Sequence, residues 1–158
     1  AIVSNPHSSA SMVIHPNNPD IVITYDNTIY KTIDGGDTWQ QFETGFSDLY
    51  FFSHETFFFD RTNTDILFNL AKDNDGNFYL VYSTDAGSTW SDTQSFLIDN
   101  LPNYEPGSTM LLPNLSDNNK LYVYIANLGF YEITIPENVG IKYIIEYENF
   151  IKIYPNPS

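Results

Sequence analysis

Ser83-Thr84-Asp85-Ala86-Gly87-Ser88-Thr89-Trp90 (STDAGSTW) restates a stretch found fifty-one residues upstream, Thr32-Ile33-Asp34-Gly35-Gly36-Asp37-Thr38-Trp39 (TIDGGDTW). Both fit [Ser/Thr]-x-Asp-x-Gly-x-Thr-Trp. A pair of such strings at a period near fifty marks a repeat architecture. The residue types suit a tight hairpin. Asp34 and Asp85 carry short carboxylates that accept N–H bonds within the turn. Gly36 and Gly87 supply positive φ at little steric cost. The hydroxyls of Thr32, Thr38, Ser83 and Thr89 pin the two strands together, and Trp39 and Trp90 cover the hairpin with large apolar rings. A carboxylate bonded into its own turn is not free for chemistry, so these ten residues are expected to be structural.

The repeat extends beyond the octapeptide. His15-Pro16-Asn17-Asn18-Pro19-Asp20-Ile21-Val22-Ile23 precedes the first copy, and Phe59-Asp60-Arg61-Thr62-Asn63-Thr64-Asp65-Ile66-Leu67-Phe68 precedes the second. Leu112-Pro113-Asn114-Leu115-Ser116-Asp117-Asn118-Asn119-Lys120-Leu121-Tyr122-Val123, followed by Gly129-Phe130-Tyr131-Glu132-Ile133, opens a third unit that lacks the octapeptide. Each unit reads as a short apolar strand, a polar turn, a second strand, a loop and a third strand. The second unit is six residues longer around Lys72-Asp73-Asn74-Asp75-Gly76-Asn77. Terminal repeats are often atypical, and the third unit fits that role.

The octapeptide resembles the Asp-box of bacterial neuraminidase repeats, which also occur in xyloglucan-hydrolase-type glycosidases and sortilin-like receptors. The resemblance implies an all-β chain: a partial β-propeller of about three four-stranded blades with Asp-box hairpins facing away from the ligand. Residues 1–148 would hold the blades, in units of about 10–48, 56–98 and 108–147. Closed propellers have roughly 4–8 blades, so the remaining blades of a parent propeller, or another chain, are expected to close the ring. The stretch Ile151-Lys152-Ile153-Tyr154-Pro155-Asn156-Pro157-Ser158 resembles the opening of the C-terminal sorting domain of type IX secretion cargo. Residues 149–158 are therefore expected to be a linker and the start of that domain, and the parent protein to be extracellular or on the outer cell surface. Ala1-Ile2-Val3-Ser4-Asn5-Pro6 lacks an initiator Met and the layout of a signal peptide, as expected of a processing boundary.

Composition removes several function classes. Net charge is −14 with a single arginine, Arg61. Nucleic-acid binding needs clustered cations against phosphate, and anionic membranes would repel the chain. There is no cysteine, hence no disulfide framework or thiolate metal site. Tyr, Phe, Ile and Thr abound, which favours strands. No apolar run approaches transmembrane length.

Chemistry is less legible. A sialidase needs an arginine triad to clamp its substrate carboxylate, and one arginine excludes that activity from this chain. A glycosidase needs two carboxylates at suitable separation, and the twenty acids offer many pairs. No catalytic residue, cofactor or metal is expected. Asp73 to Asn77 resembles the start of an EF-hand loop but lacks the Glu at position twelve, so a hairpin is the better reading. Propeller topology would put loops 44–56, 72–77 and 99–108 on the ligand face. Within them Tyr50, His54, Glu55, Asp73, Asp75, Tyr104 and Glu105 are the expected ligand-binding residues, mixing aromatic faces with carboxylates. The leading expectation is a secreted propeller module binding a glycan or protein. Part of a xyloglucanase-like hydrolase and a structural adhesin component are the alternatives.

Overall fold

The computed structural model describes residues 2–3, 12–25, 28–51, 56–98, 101, 109–117, 119–126, 128–135 and 152–154. Regular structure among them is β, apart from 3-10 conformation at Thr56 and at Asp92–Gln94. The first sheet holds β1 (Ile2–Val3), β2 (Met12–Ile14), β3 (Val22–Tyr25), β4 (Ile29–Thr32) and β5 (Trp39–Phe42) in the order β1-β5-β4-β3-β2. In the second, β6 (Tyr50–Phe51) and β7 (Phe58–Phe59) share the inner edge of β8 (Leu67–Lys72), followed by β9 (Phe78–Ser83) and β10 (Ser95–Ile98). The third runs β11 (Thr109–Pro113), β12 (Lys120–Ile125), β13 (Gly129–Thr134) and β14 (Lys152–Tyr154). Three antiparallel meanders in succession form a partial β-propeller.

Period-two alternation explains how the sheets stack. The second sheet is buried on both faces, which is why all six residues of β8 are buried. Leu67, Ala71 and Val81 point to the first sheet and pack with Ile23, Ile29, Phe51, Phe59 and Trp90. Phe68, Leu70, Phe78 and Leu80 point the other way, onto Leu111, Leu121, Val123, Ile125, Tyr131 and Ile133 of the third sheet. A one-residue slip in β8 or β9 would exchange these two sets.

The repeat is visible in the backbone of all three units. His15, Asp60 and Asn114 donate their N–H to the carbonyls of Ile21, Ile66 and Lys120 at 2.9, 2.9 and 3.0 Å. The N–H groups of Asp20, Asp65 and Asn119 bond the side chains of Asn18, Asn63 and Asp117 at 3.2, 3.2 and 3.0 Å. Gly35, Ala86 and Ile135 then donate to the carbonyls of Asp20, Asp65 and Asn119 at 3.0, 2.7 and 2.6 Å. The third unit has lost the octapeptide yet keeps the backbone bond that the octapeptide makes.

Two edges depart from the expected boundaries. Ile2 and Val3 pair with Gln40 and Trp39, so the first sheet gains an outer fifth strand from ahead of the unit expected to begin near residue 10. Lys152–Tyr154, expected in a linker, pairs with Phe130–Glu132 and supplies the fourth strand of the third sheet. An edge strand presents unpaired N–H and C=O groups, and short strands of this kind cover them.

Candidate functional site

The two octapeptides lie at one end of their sheets, between the third and fourth strands. Asp34 Oδ1 accepts from Thr32 Oγ1 at 2.7 Å and from the Thr38 N–H at 2.9 Å, while its Oδ2 accepts from Thr38 Oγ1 at 2.6 Å. Asp85 repeats this with Ser83 Oγ at 2.7 Å, Thr89 N–H at 2.8 Å and Thr89 Oγ1 at 2.7 Å. Gly36 and Gly87 adopt φ of 102° and 81° and donate their N–H groups to Thr32 and Ser83, both at 2.9 Å. Trp39 and Trp90 return their indole N–H to the carbonyls of those glycines at 3.1 and 3.2 Å. The hydroxyl and N–H of Thr38, with the hydroxyl of Thr32, hold the Asp34 carboxyl down at about 2. Burial pushes Asp85 up, but the bonds from Ser83 and Thr89 outweigh it and its pKa is lowered. Both carboxylates are consumed by their turns.

At the opposite end Ile98, Phe78, Lys72 and Tyr50 face one another in a single cross-strand row over β10, β9, β8 and β6. Of the expected ligand loops, 72–77 is described in full, whereas residues 52–55, 99–100 and 102–108 lie outside the described residues. The side chains of the row differ in role. Tyr50 is 47% exposed, whereas Lys72 is buried with its Nζ 5.3 Å from the Phe78 ring centroid. That is cation–π distance, so the ring face stabilises the ammonium.

Asp73 closes its own hairpin. Its Oδ1 accepts from the N–H groups of Asp75 and Asn77 at 3.0 and 2.8 Å, and its Oδ2 accepts from Asn77 Nδ2 at 2.8 Å and Tyr79 Oη at 3.3 Å. The Asn77 side chain chiefly holds its pKa below the usual carboxylate range, while burial and then the Asp73 charge push the Tyr79 phenol up. Asp73 therefore shapes the loop, and exposed Asp75 is the carboxylate it presents. His54, Glu55, Tyr104 and Glu105 lie outside the described residues. Among those described, no group of three or more His, Asp or Glu side chains gathers to hold a metal.

Sequence reasoning missed Asn69, which lies in β8 between the residues that pair with β6 and β7. Phe51 pairs with Ala71 and Phe58 with Phe68. Asn69 is fully buried. Its Oδ1 accepts from the Leu70 N–H at 2.7 Å and from the Thr56 hydroxyl, and its buried Nδ2 has no partner. It also missed Lys31, whose Nζ crosses from the first sheet to donate to Ser88 Oγ at 2.8 Å and the Asp85 carbonyl at 3.4 Å. Burial lowers the Lys31 pKa, opposed by the charges of Asp85 and Asp65. No local sequence signal marks that contact.

No curated protein matches the chain. Among solved structures, one described as YCF48 bound to D1 peptide is 21% identical with a TM-score of 0.49, covering 85% of this chain and 39% of that one. The chain thus spans about two fifths of that relative's length. A family model described as Sortilin-Vps10 (sortilin, neurotensin receptor 3) matches residues 2–120, most of the sequence and both octapeptides. The chain belongs to the Sortilin-Vps10 family.

Proposed function

We propose that this propeller module binds a peptide or protein segment at the end opposite the octapeptides. One observation supports the reading: the row Ile98–Phe78–Lys72–Tyr50 lies at that end and leaves Tyr50 exposed. The opposite end is committed to its own turn bonds. The family description names a neurotensin receptor, which favours a peptide ligand. The net charge of −14 favours a neutral or cationic one. The exposed Tyr50 also supports a second reading, stacking on a neutral sugar. Display on the outer cell surface after type IX secretion belongs to the same proposal, supported by Tyr154-Pro155-Asn156-Pro157.

Calorimetry against a cationic peptide set and neutral oligosaccharides tests both readings. Binding should fall with Tyr50→Ala and Asp75→Ala and be unchanged by Asp37→Ala at the other end. Binding that survives alanine at Tyr50, His54, Glu55, Asp73, Asp75, Tyr104 and Glu105 together would refute it, as would tight binding of an anionic ligand.

A further inference from the structure

Two Asp-Gly pairs occupy turns of this chain, Asp34-Gly35 in the first octapeptide and Asp75-Gly76 at the opposite end. Such a pair permits one backbone reaction. The glycine nitrogen attacks the Asp Cγ, and a carboxyl oxygen leaves as water, carrying the carboxyl proton and the amide proton. The five-membered imide then takes up one water. Opening at Cγ restores Asp, whereas opening at the Asp backbone carbonyl gives isoaspartate, whose main chain runs through Cγ. No mass is gained or lost over the two steps. Glycine favours the attack because no Cβ obstructs the approach of its nitrogen.

The two turns treat the same dipeptide differently. Both oxygens of Asp34 are held, Oδ1 by the Thr32 hydroxyl and the Thr38 N–H, Oδ2 by the Thr38 hydroxyl at 2.6 Å. Those bonds keep the carboxyl at about 2, so near neutrality it lacks the proton that departing water needs. The Gly35 N–H is tied at 3.0 Å to the carbonyl of Asp20, the link that recurs in every unit. Reaction at Asp34 requires all of these bonds to break together.

Asp75 has none of this protection. It is exposed, and among the described residues its carboxylate takes part in no hydrogen bond. Asp73 donates its N–H to the Asn77 carbonyl at 3.1 Å, and Gly76, with φ of 90°, donates to the Asp73 carbonyl at 3.2 Å. This is a three-residue hairpin with glycine in the left-handed position. The bond that restrains the Gly76 nitrogen closes that turn alone, so opening it disturbs no contact between sheets, and exposed turns open at little cost.

We propose that Asp75-Gly76 is a site of spontaneous backbone modification, isomerising through the imide to isoaspartate, and that the octapeptide protects Asp34-Gly35 from the same reaction. The product adds one carbon to the main chain between Asp75 and Gly76. The bonds from Gly76 to the Asp73 carbonyl and from the Asn77 N–H to Asp73 Oδ1 lie beyond that insertion and lose their register, which reshapes the turn. The modification itself does not rest on the reading of this end as a recognition surface.

The chain is aged in neutral buffer, digested, and searched for isoaspartate by electron-transfer fragmentation, with an isoaspartyl methyltransferase as an independent label. Isoaspartate should accumulate at Asp75 at least about tenfold faster than at Asp34. In guanidinium chloride, where both turns are lost, the two rates should converge. Thr38→Ala, which releases Asp34 Oδ2, should speed conversion at Asp34, and the unfolded comparison remains decisive if that variant is unstable. Asp75→Asn should lose its side-chain nitrogen through the same imide, read as a gain in mass. Equal rates in the folded chain would overturn the proposal, as would an Asp75 that converts only when unfolded. A rate ratio unchanged by unfolding would place the cause in the neighbouring residues and overturn it too.

Discussion

Truncating Trp90 tests whether the octapeptide holds sheets together as well as closing a turn. The Trp90 ring is 3% exposed and sits edge-on to Phe51 at 5.0 Å and Phe57 at 6.0 Å in the cluster between the first two sheets. Trp90→Ala removes that packing, opens a cavity beside Ile23 and Leu67, and frees the Gly87 carbonyl from the indole N–H. Aromatic truncations of this kind cost about 3–5 kcal/mol. In a domain of this size that lowers Tm by roughly 6–20 °C. Trp39 makes the same indole bond at 3.1 Å but joins neither buried cluster. Trp39→Ala should therefore cost about half as much, because it loses the turn contact without an inter-sheet core. Urea unfolding followed by far-ultraviolet circular dichroism measures both variants without relying on the indoles as probes. Trp90→Phe, which keeps a ring in the cluster, should recover part of the loss. Equal costs at the two tryptophans, or a Trp90→Ala cost below about 1 kcal/mol, would refute the reasoning.

Lys31→Met keeps the stem volume but leaves Ser88 Oγ and the Asp85 carbonyl without their inter-sheet donor; urea midpoints should report a loss of about 1–2 kcal/mol. Gly87→Ala adds a Cβ 2.5 Å from Ile23 and 3.0 Å from Leu67 on top of its positive φ, whereas Gly36→Ala suffers only the φ strain; thermal melts should find Gly87→Ala clearly the less stable. Acid sensitivity follows from the depressed carboxylates. Asp34, at about 2, and Asp85 and Asp73, both lowered, favour the folded chain above their unfolded pKa near 4. That stabilisation is lost as pH falls from about 4 towards 2, and Asp34→Asn with Asp85→Asn should flatten the stability curve there, as read by denaturant midpoints at successive pH values.

The sequence shows the octapeptides clearly because their chemistry is local. Every bond that the Asp34 and Asp85 carboxylates accept comes from within four residues. The alternation of exposed Tyr50 with buried Phe51 follows the same local logic of the pleat. Contacts between sheets are less legible. Lys31 meets partners 54 and 57 residues away, and no local pattern distinguishes such a lysine from a solvated one. Asn69 is equally hidden, because its Oδ1 takes the hydroxyl of Thr56, thirteen residues away. In the third unit the link from Ile135 to Asn119 uses only backbone atoms, so the missing octapeptide concealed an intact joint.

The six extra residues of the second unit show how this architecture separates stability from variation. In the first sheet β3 and β4 are four residues each with three between them, while β8 and β9 are six each with five between them. The added length is thus two residues in each strand and two in the turn. Because pairing at the octapeptide end keeps the same bonds in both units, all of the extension falls at the other end, in the Asp73–Asn77 turn and the strand ends beside it. Asp73 spends its carboxylate on shaping that turn, which leaves Asp75 exposed. Insertions at the octapeptide end would instead break the bond between Asp65 and Ala86 and the Lys31 contact that depends on it. Strand length can therefore change at the end away from the octapeptides without disturbing how the sheets stack.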